Sequence, residues 1–235
     1  ESKRMAVFAQ MVRLDGSLSY RSMLLVPKNG RVRSLEDLLA HPGAYSYAGG
    51  EPGSMAGSLV PSYYLFHKRG LDARKHFRSV SYGNHFDGFL AVAEGRADVA
   101  STSTEELGRY LGEWPVTFGT LRVLWESPPN PTDPMLYRTD LAPDLKRGVR
   151  DFFVNYGRSP AERERLVELN DLSGFQASTN YQLRAAIDLE LFEALAGAMR
   201  DRNTPRERFG ELMEQLTRRA ANLDSIINAS RFDLH

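Results

Sequence analysis

Between residues 45 and 100, short apolar segments alternate with segments of helical pattern, and this alternation strongly limits the folds open to the chain. Apolar runs at Tyr45–Ala48, Phe77–Ser81 and Ala97–Ala100 are typical of buried strands, and the chain between them shows helix-type spacing. Strands and helices that alternate in this way predict a parallel or mixed sheet with helices on both of its faces. Ligands of such sheets bind where the strands end.

Further strands are predicted on both sides of this region. Ala6–Val12 and Ser22–Val26 are apolar runs separated by an Asp15-Gly16 turn, and Leu121–Trp125 is a third. The proline-rich run Ser127–Pro134 that follows is typical of a stiff connector between domains. Beyond it the pattern turns helical, with helices predicted at positions 143–156, from the capping box Ser159-Pro160-Ala161-Glu162, at positions 180–199 and from Thr204-Pro205 onward.

The charge of the chain is balanced, with 30 basic and 30 acidic residues among 235 and a formal net charge of +0. A nucleic acid or an anionic membrane therefore gains no attraction from the chain as a whole, and any anion must be recognised locally. The absence of cysteine excludes disulfides and thiolate metal sites. The five histidines show no metal-binding spacing, and the common enzyme motifs are absent. We expect no metal, no cofactor and no catalytic residues.

A glycine- and proline-rich turn, Gly49–Gly53, runs directly into a helix that begins near Ser54. The first N–H groups of a helix lack partners within it and the helix dipole is positive there, so they and the Ser54 hydroxyl suit an oxyanion. Gly53 and Gly57 are expected to let a ligand approach the backbone, and Pro61 to distort the helix. A second interpretation stays open, in which Ser54 is an ordinary helix cap.

The order and spacing of several motifs resemble those of the phosphonate-binding proteins of bacterial ABC importers. The likeness covers nearly the whole chain and rests on a set of motifs rather than on one. The set includes VFAQ (Val7–Gln10), SLEDLL (Ser34–Leu39), GEPGSMAGSLVP (Gly50–Pro61), FLAVAEGRADVA (Phe89–Ala100), TEEL (Thr104–Leu107), SPPNPTDP (Ser127–Pro134), DFFVNYG (Asp151–Gly157) and the pattern from Phe175 to Leu183.

The resemblance implies an α/β protein with the two-lobed, type II fold of periplasmic binding proteins, with mixed sheets and helices on both faces. It assigns residues 1–29 and 127–235 to lobe one and residues 30–126 to lobe two. It implies a periplasmic location, a small phosphonate ligand held by lobe closure, and an ABC permease as the membrane partner. No run approaches the roughly 20 apolar residues of a membrane span, and an export signal is not among the residues of this chain.

The resemblance also assigns an oxyanion site to the turn and the helix described above. Ser54 and the backbone N–H groups of Met55 and Ala56 would hold the phosphonate oxygens, and His85 would complete the site. His85 alone is equally a surface histidine, although its place after a Gly-Asn turn at a strand end suits a donor. The family commonly has hydroxyl side chains where this chain has Met55 and Ala56. That departure puts the affinity or the identity of the ligand in question.

The opposite end of the ligand is assigned by the resemblance alone. Glu105 and Asp133 match carboxylates that would bind a ligand amino group, and Tyr20 matches an aromatic wall. From the residues themselves, Glu105 is equally a first-turn carboxylate favoured by a helix dipole, Asp133 a turn residue and Tyr20 a core aromatic.

Two further points follow from the family pattern and from the last helix. The family begins with strand and helix units that precede VFAQ and that this chain lacks, so we expect a longer native protein. The charge-rich helix predicted at positions 205–223 is either a solvated amphipathic helix or a contact between two copies in a homodimer.

Three classes of function fit this pattern. The first is binding of an organophosphonate, or of phosphite or phosphate, for import. The second is a ligand-sensing module of the same fold in a signalling protein, and the third is an enzyme that acts on a phosphorylated metabolite. The sequence offers no nucleophile and base for the third, although a fold by itself does not determine function.

Overall fold

The computed structural model describes residues 5–200 and 206–229, and the predicted helix start at Thr204 and Pro205 lies outside these ranges. The strands are β1 Met5–Arg13, β2 Ser19–Tyr20, β3 Ser22–Pro27, β4 Ser46–Gly50, β5 Ser79–Gly83, β6 Val99–Ser103, β7 Leu121–Glu126, β8 Asn130–Pro131, β9 Pro134–Arg138 and β10 Leu172–Ala177. The α-helices are α1 Leu35–Ala40, α2 Ala73–His76, α3 His85–Ala93, α4 Thr104–Glu113, α5 Pro115–Phe118, α6 Pro143–Asn155, α7 Pro160–Asn170, α8 Arg184–Arg200 and α9 Arg206–Ala229.

Four further helical segments of the described residues have other geometries, and one of them is a 3-10 turn at His67–Arg69. Met55–Leu59 and Pro61–Phe66 are π-helical, and they occupy the place of the helix that the sequence predicts from Ser54 to His67. A 3-10 turn at Asn180–Leu183 leads into α8. Helix and strand contents of this kind give a mixed α/β fold, as predicted.

The chain forms two compact units. Among the described residues, unit 1 consists of residues 5–19, 131–200 and 206–229, and unit 2 of residues 20–130. The two-residue strands β2 and β8, which pair with each other, contain the two points where the chain passes from one unit to the other.

The boundaries differ from the predicted ones at residues 29/30 and 126/127. Strand β3, predicted to belong to lobe one, is part of the unit 2 sheet because its hydrogen-bonded neighbours on both sides, β6 and β7, belong to that unit. The second crossing falls inside the proline-rich connector rather than at its beginning.

Unit 2 is built on a five-stranded mixed sheet with the order β5-β4-β6-β3-β7. Strands β5, β4 and β6 run parallel, and β3 pairs antiparallel with β6 and with β7. Strand β3 is buried from Ser22 to Val26, which fits its continuous apolar sequence and its position between two neighbours.

Two hydrophobic cores cover the two faces of this sheet. Successive residues of one strand point to opposite faces, so Leu24 and Val26 belong to one core and Leu25 to the other. The first core also contains Leu38 of α1 together with Leu65 and Phe66 of the π-helical segment, and the second contains Phe89 of α3 and Tyr110 of α4. The predicted arrangement of helices on both faces is therefore present in unit 2.

Unit 1 contains a three-stranded antiparallel sheet with the order β10-β1-β9. Phe8 of the central strand stacks on Tyr137 at 4.9 Å between ring centroids, and Phe153 of α6 packs against Phe8 at 5.6 Å. Strands β9 and β10 correct the expectation that the chain beyond the connector is helical. They form because β1 offers both of its edges to pairing partners.

Helix α7 begins with the predicted capping box. The Ser159 hydroxyl accepts from the N–H of Glu162 at 3.2 Å, and the Glu162 carboxylate accepts from the N–H of Ser159 at 3.0 Å. The bond from the Ser159 N–H is the main cause that lowers the pKa of the Glu162 carboxyl below its ordinary value of 4.5.

We predict that the stabilisation by Glu162 depends on pH. A carboxyl whose pKa is lower in the folded than in the unfolded protein stabilises the fold above the unfolded pKa, and that stabilisation is lost as the pH falls through the folded pKa. Urea denaturation should therefore show Glu162→Gln to be less stable than wild type at pH 7 and closer to wild type near pH 3. Glu164→Gln, at an exposed position on the same helix, is the matched control and should show no such trend. If Glu162→Gln lowered the free energy of unfolding equally at pH 7 and near pH 3, the predicted pH dependence of the Glu162 carboxylate would be contradicted.

Candidate functional site

Three helical segments of unit 2 begin at one edge of its sheet. Strands β5, β4 and β6 are parallel, with Gly50 level with Gly83 and Ala48 level with Ala100, so their carboxyl ends lie side by side. A helical segment starts just beyond each end, namely the π-helical segment at Met55, α3 at His85 and α4 at Thr104. The positive ends of helix dipoles are thereby collected at the edge where parallel sheets bind ligands.

Ser54 caps the π-helical segment. Its N–H donates to the carbonyl of Glu51 at 2.9 Å, which closes the turn, and its hydroxyl accepts from the N–H of Gly57 at 3.1 Å. The first bonds within the helix are donated by Ser58 and Leu59 to the Ser54 carbonyl. The capping role is thus present. It does not exclude an anion contact. The N–H groups of residues 55 and 56 come before the first hydrogen bonds within the helix, and the Ser54 hydroxyl keeps its own hydrogen for donation.

The backbones of Gly50 and Gly57 touch. A Cβ built on Gly50 would lie 2.5 Å from Cα of Gly57, and one built on Gly57 would lie 2.6 Å from Cα of Gly50. Neither position can carry a side chain without a backbone shift. Gly57 is buried, and the absence of a side chain lets strand β4 approach the helix. That it also lets a ligand approach the backbone stays a prediction.

The same glycine brings Ser54 and His85 together. The Cβ position of Gly57 lies 3.0 Å from Oγ of Ser54 and 3.1 Å from Cε1 of His85. Asn84 fixes the start of α3, because its side chain accepts from the N–H of Asp87 at 2.8 Å and leaves His85 as the first helical residue. Nδ1 of His85 is buried and has no hydrogen-bond partner. Such an atom is costly unless a ligand or an ordered water satisfies it.

Pro61 produces the predicted distortion. It has no N–H to donate to the carbonyls of Ala56 or Gly57, which an unbroken helix would satisfy. Hydroxyl groups of the sheet replace it. Ser22 Oγ donates to the Ala56 carbonyl at 2.5 Å, and Ser101 Oγ donates to the Gly57 carbonyl at 2.6 Å.

Ser101 and Tyr47 strengthen the link between sheet and helix. The Ser101 hydroxyl also accepts from the N–H of Gly50 at 3.0 Å, so one side chain joins the end of β4 to the helix. Tyr47 places its hydroxyl 3.5 Å from the Gly57 carbonyl. Burial raises the pKa of Tyr47 far above its usual range, so this hydroxyl stays protonated at physiological pH.

Glu105 lies in the first turn of α4 and is half-buried. Ser103 caps this helix by accepting from the N–H of Glu106 at 3.3 Å. Glu106 is paired with Arg109 at 2.7 Å between Oε2 and Nη2. The helix start therefore carries two carboxylates in its first turn.

The two remaining predicted residues, Tyr20 and Asp133, are not part of these helix starts. Tyr20 is buried in β2, with 8% of its surface exposed. Asp133 belongs to unit 1 and is exposed, and its carbonyl accepts from the N–H of Met11 at 3.1 Å. This bond fits the turn role of Asp133, and the ligand roles of both residues stay predictions.

Sequence reasoning missed Ser22 and Ser101, the two hydroxyls behind the helix start. Each forms its bond with a residue far away in the chain, so no local spacing could reveal it. Within residues 5–200 and 206–229, no histidine and carboxylate side chains are grouped as metal ligands would be. In the same part of the chain, no helix has both the length and the apolar character that a membrane crossing requires.

Comparisons with known proteins identify relatives of the whole arrangement. Residues 1–183 match the family model of the periplasmic substrate-binding protein of phosphonate ABC transporters. The phosphonates-binding periplasmic protein of Escherichia coli K12 is 39% identical over 191 residues, which are 81% of this chain and 56% of that protein. The chain thus spans little more than half the length of this curated relative.

Solved structures show the same fold. A binding-protein component of an ABC phosphonate transporter from Pseudomonas aeruginosa superposes with a TM-score of 0.79 at 34% identity, over 94% of this chain and 73% of that one. PhnD1 from Prochlorococcus marinus, solved in complex with methylphosphonate, gives a TM-score of 0.66 at 19% identity, over 79% of this chain and 70% of that one. The second likeness is evidence for the fold alone.

We predict that Gly57→Ala disrupts the start of the helix, because the added methyl group collides with the backbone of Gly50. Chemical denaturation should show a loss of about 1–3 kcal/mol in the free energy of unfolding, the usual range for overpacking. Gly108→Ala is the matched control, since nothing lies within 4 Å of its Cβ position in α4. It should raise stability by roughly 0.5–1 kcal/mol. Equal effects of the two substitutions would show that the close approach is not tight in solution.

Proposed function

The chain belongs to the family of periplasmic substrate-binding proteins of phosphonate ABC transporters, and we propose that it binds an organophosphonate in the periplasm for delivery to a membrane permease. Members of this family are transport proteins rather than enzymes. One observation carries the proposal. The Ser54 hydroxyl and the His85 ring converge at the start of a helix whose first N–H groups come before the hydrogen bonds within that helix. Such a group of donors suits an oxyanion.

The chemistry of a phosphonate matches these donors. A phosphonate carries one to two negative charges near neutral pH. Its deprotonated oxygens accept hydrogen bonds and have none to donate. We assign them the N–H groups of Met55 and Ala56, the Ser54 hydroxyl and a ring nitrogen of His85. Backbone donors at a helix start are fixed before the ligand arrives, so little ordering is needed on binding.

Phosphite and phosphate present oxygens similar to those of a phosphonate. Comparing their binding with that of phosphonates therefore defines the ligand class. The side chains of Met55 and Ala56 offer no hydroxyl donors, so the site relies on backbone groups around the shared oxygens. A thermal-shift panel of methylphosphonate, 2-aminoethylphosphonate, phosphite and phosphate separates these candidates. A ligand at 100 times its dissociation constant stabilises the protein by ~2.7 kcal/mol.

We predict that Ser54→Ala weakens phosphonate binding by ~1.5–3 kcal/mol, because a hydrogen bond to a charged oxygen is lost. Isothermal titration calorimetry measures this loss directly. Ser58→Ala, at a half-buried position farther along the same segment, is the matched control and should bind like wild type. Unchanged affinity of Ser54→Ala for all four anions would refute the assigned site.

We further propose that Glu105, together with Asp133, recognises an amino group of the ligand. A carboxylate attracts an ammonium group, and two carboxylates directed at one ligand repel each other unless a cation lies between them. The family pattern supports both residues. For Glu105 its half-buried place at the start of α4, at the edge where the parallel strands end, adds support.

The expected result is tighter binding of 2-aminoethylphosphonate than of ethylphosphonate. Glu105→Gln and Asp133→Asn should each reduce this preference while affinity for ethylphosphonate changes little, because the substitutions remove charge and keep the side-chain size. Glu106→Gln is the matched control, because Glu106 is already paired with Arg109. Calorimetry on the four proteins decides the matter. Equal affinities for the two phosphonates on wild type would remove the amino group from the proposal.

A further inference from the structure

A continuous chain of hydrogen bonds joins the sheet to the Ser54 hydroxyl. Ser22 Oγ donates to the carbonyl of Ala56 at 2.5 Å. That carbonyl shares its peptide group with the N–H of Gly57, which donates to Ser54 Oγ at 3.1 Å. All four residues belong to unit 2. Ser54 Oγ accepts from this chain, and its own hydrogen remains available to donate outward.

Hydrogen bonds that follow one another in this way polarise each other. When the carbonyl of a peptide accepts a bond, its N–H becomes a better donor, and a hydroxyl that accepts from it becomes a better donor in turn. We propose that Ser22 is a positioning residue for anion binding, which acts through the Ala56–Gly57 peptide to orient and polarise the Ser54 hydroxyl. The inference rests on the proposed function, because it assumes that Ser54 donates to the ligand.

The surroundings of Ser22 hold it in place for this role. Ser22 is fully buried at the start of β3. Its N–H donates to Ser127 Oγ at 3.0 Å, and its carbonyl accepts from the N–H of Ser127 at 2.8 Å. The Ala56 carbonyl is free to accept because Pro61, which follows it in the helix, has no N–H to offer.

Ser101 provides a matched comparison within the same site. It is also buried, and it also donates to a carbonyl of this helix, that of Gly57. The peptide group of that carbonyl continues through the N–H of Ser58 to the carbonyl of Ser54, not to its hydroxyl. Loss of the Ser101 hydroxyl therefore perturbs the same helix without acting through Ser54 Oγ.

The test is a double-mutant cycle on the affinity for methylphosphonate, measured by calorimetry. Ser22→Ala should weaken binding by up to about fivefold, because polarisation through one peptide strengthens the Ser54 bond to the anion by only about 10–30%. In the Ser54→Ala background the same substitution should change affinity by less than about twofold, because the chain then ends on a methyl group. For the pair Ser101→Ala and Ser54→Ala, the fold-changes in the dissociation constant should instead multiply in the double variant, to within about twofold.

Two additions keep the outcome decisive if Ser22→Ala folds poorly. Ser22→Cys fills a similar volume while its thiol donates weakly, so it should show the same dependence on Ser54. The amide proton resonance of Gly57 in the ligand-free protein should shift upfield in Ser22→Ala and in Ser22→Cys. It should stay unchanged in Ser46→Ala, where a buried serine bonded to Asp98 is lost elsewhere in the sheet.

The results separate this inference from the function on which it rests. If Ser22 and Ser54 substitutions multiply as the Ser101 pair does, Ser22 is only structural and the inference is overturned while the oxyanion site stands. If the Gly57 resonance does not move, the polarised chain is overturned. If wild type binds none of the four anions of the thermal-shift panel, the proposed function fails first, and the role of Ser22 in binding fails with it.

Discussion

The contact between the backbones of Gly50 and Gly57 is the constraint on which the rest of the binding edge depends. A helix that follows a strand normally stands off by the width of its side chains, whereas here the two main chains meet with no side chain between them. This proximity lets hydroxyls of the sheet reach carbonyls of the helix. It also brings Ser54 and His85 to the same glycine, although they start different helices.

Because Pro61 lacks an N–H, the helix needs hydrogen-bond donors from the sheet, and these must lie close to it. By withholding an N–H, Pro61 leaves a helix carbonyl that would be costly to bury unpaired, and the hydroxyls of Ser22 and Ser101 donate to the Ala56 and Gly57 carbonyls from two different strands. The helix start is thereby fixed to the sheet by specific bonds as well as by apolar contact. Departures from α-helical geometry often occur at functional sites, and the serines give a physical reason why this one persists.

Much of unit 2 could be predicted from the sequence because its signals are local. The continuous apolar run of β3 and the turn into Ser54 each fold as their own residues dictate. Strands β9 and β10 could not be predicted, since one begins at the end of a proline-rich run and the other contains Gly174, and both form by pairing with β1.

The candidate site divides in the same way. The cap and the first N–H groups at Ser54 follow from a local pattern, while the approach of His85 depends on the register of two parallel strands. The serines behind the helix depend on contacts between distant parts of the chain, for which a single sequence carries no signal. The bounds of the two compact units differ from the predicted lobe bounds for a related reason, because an apolar strand does not indicate which sheet it joins.

The chain order of unit 1 has a consequence for synthesis on the ribosome. Strand β1 is made before unit 2, yet its partners Leu136 and Ala177 are made after it. Until β9 and β10 have been made, strand β1 therefore lacks these two partners. Unit 2 is one contiguous segment, so all of its strands are made before β9. An unpaired apolar strand invites association with other chains. The interval between the synthesis of β1 and that of β9 is thus the period in which a newly made chain gains most from a chaperone that covers β1.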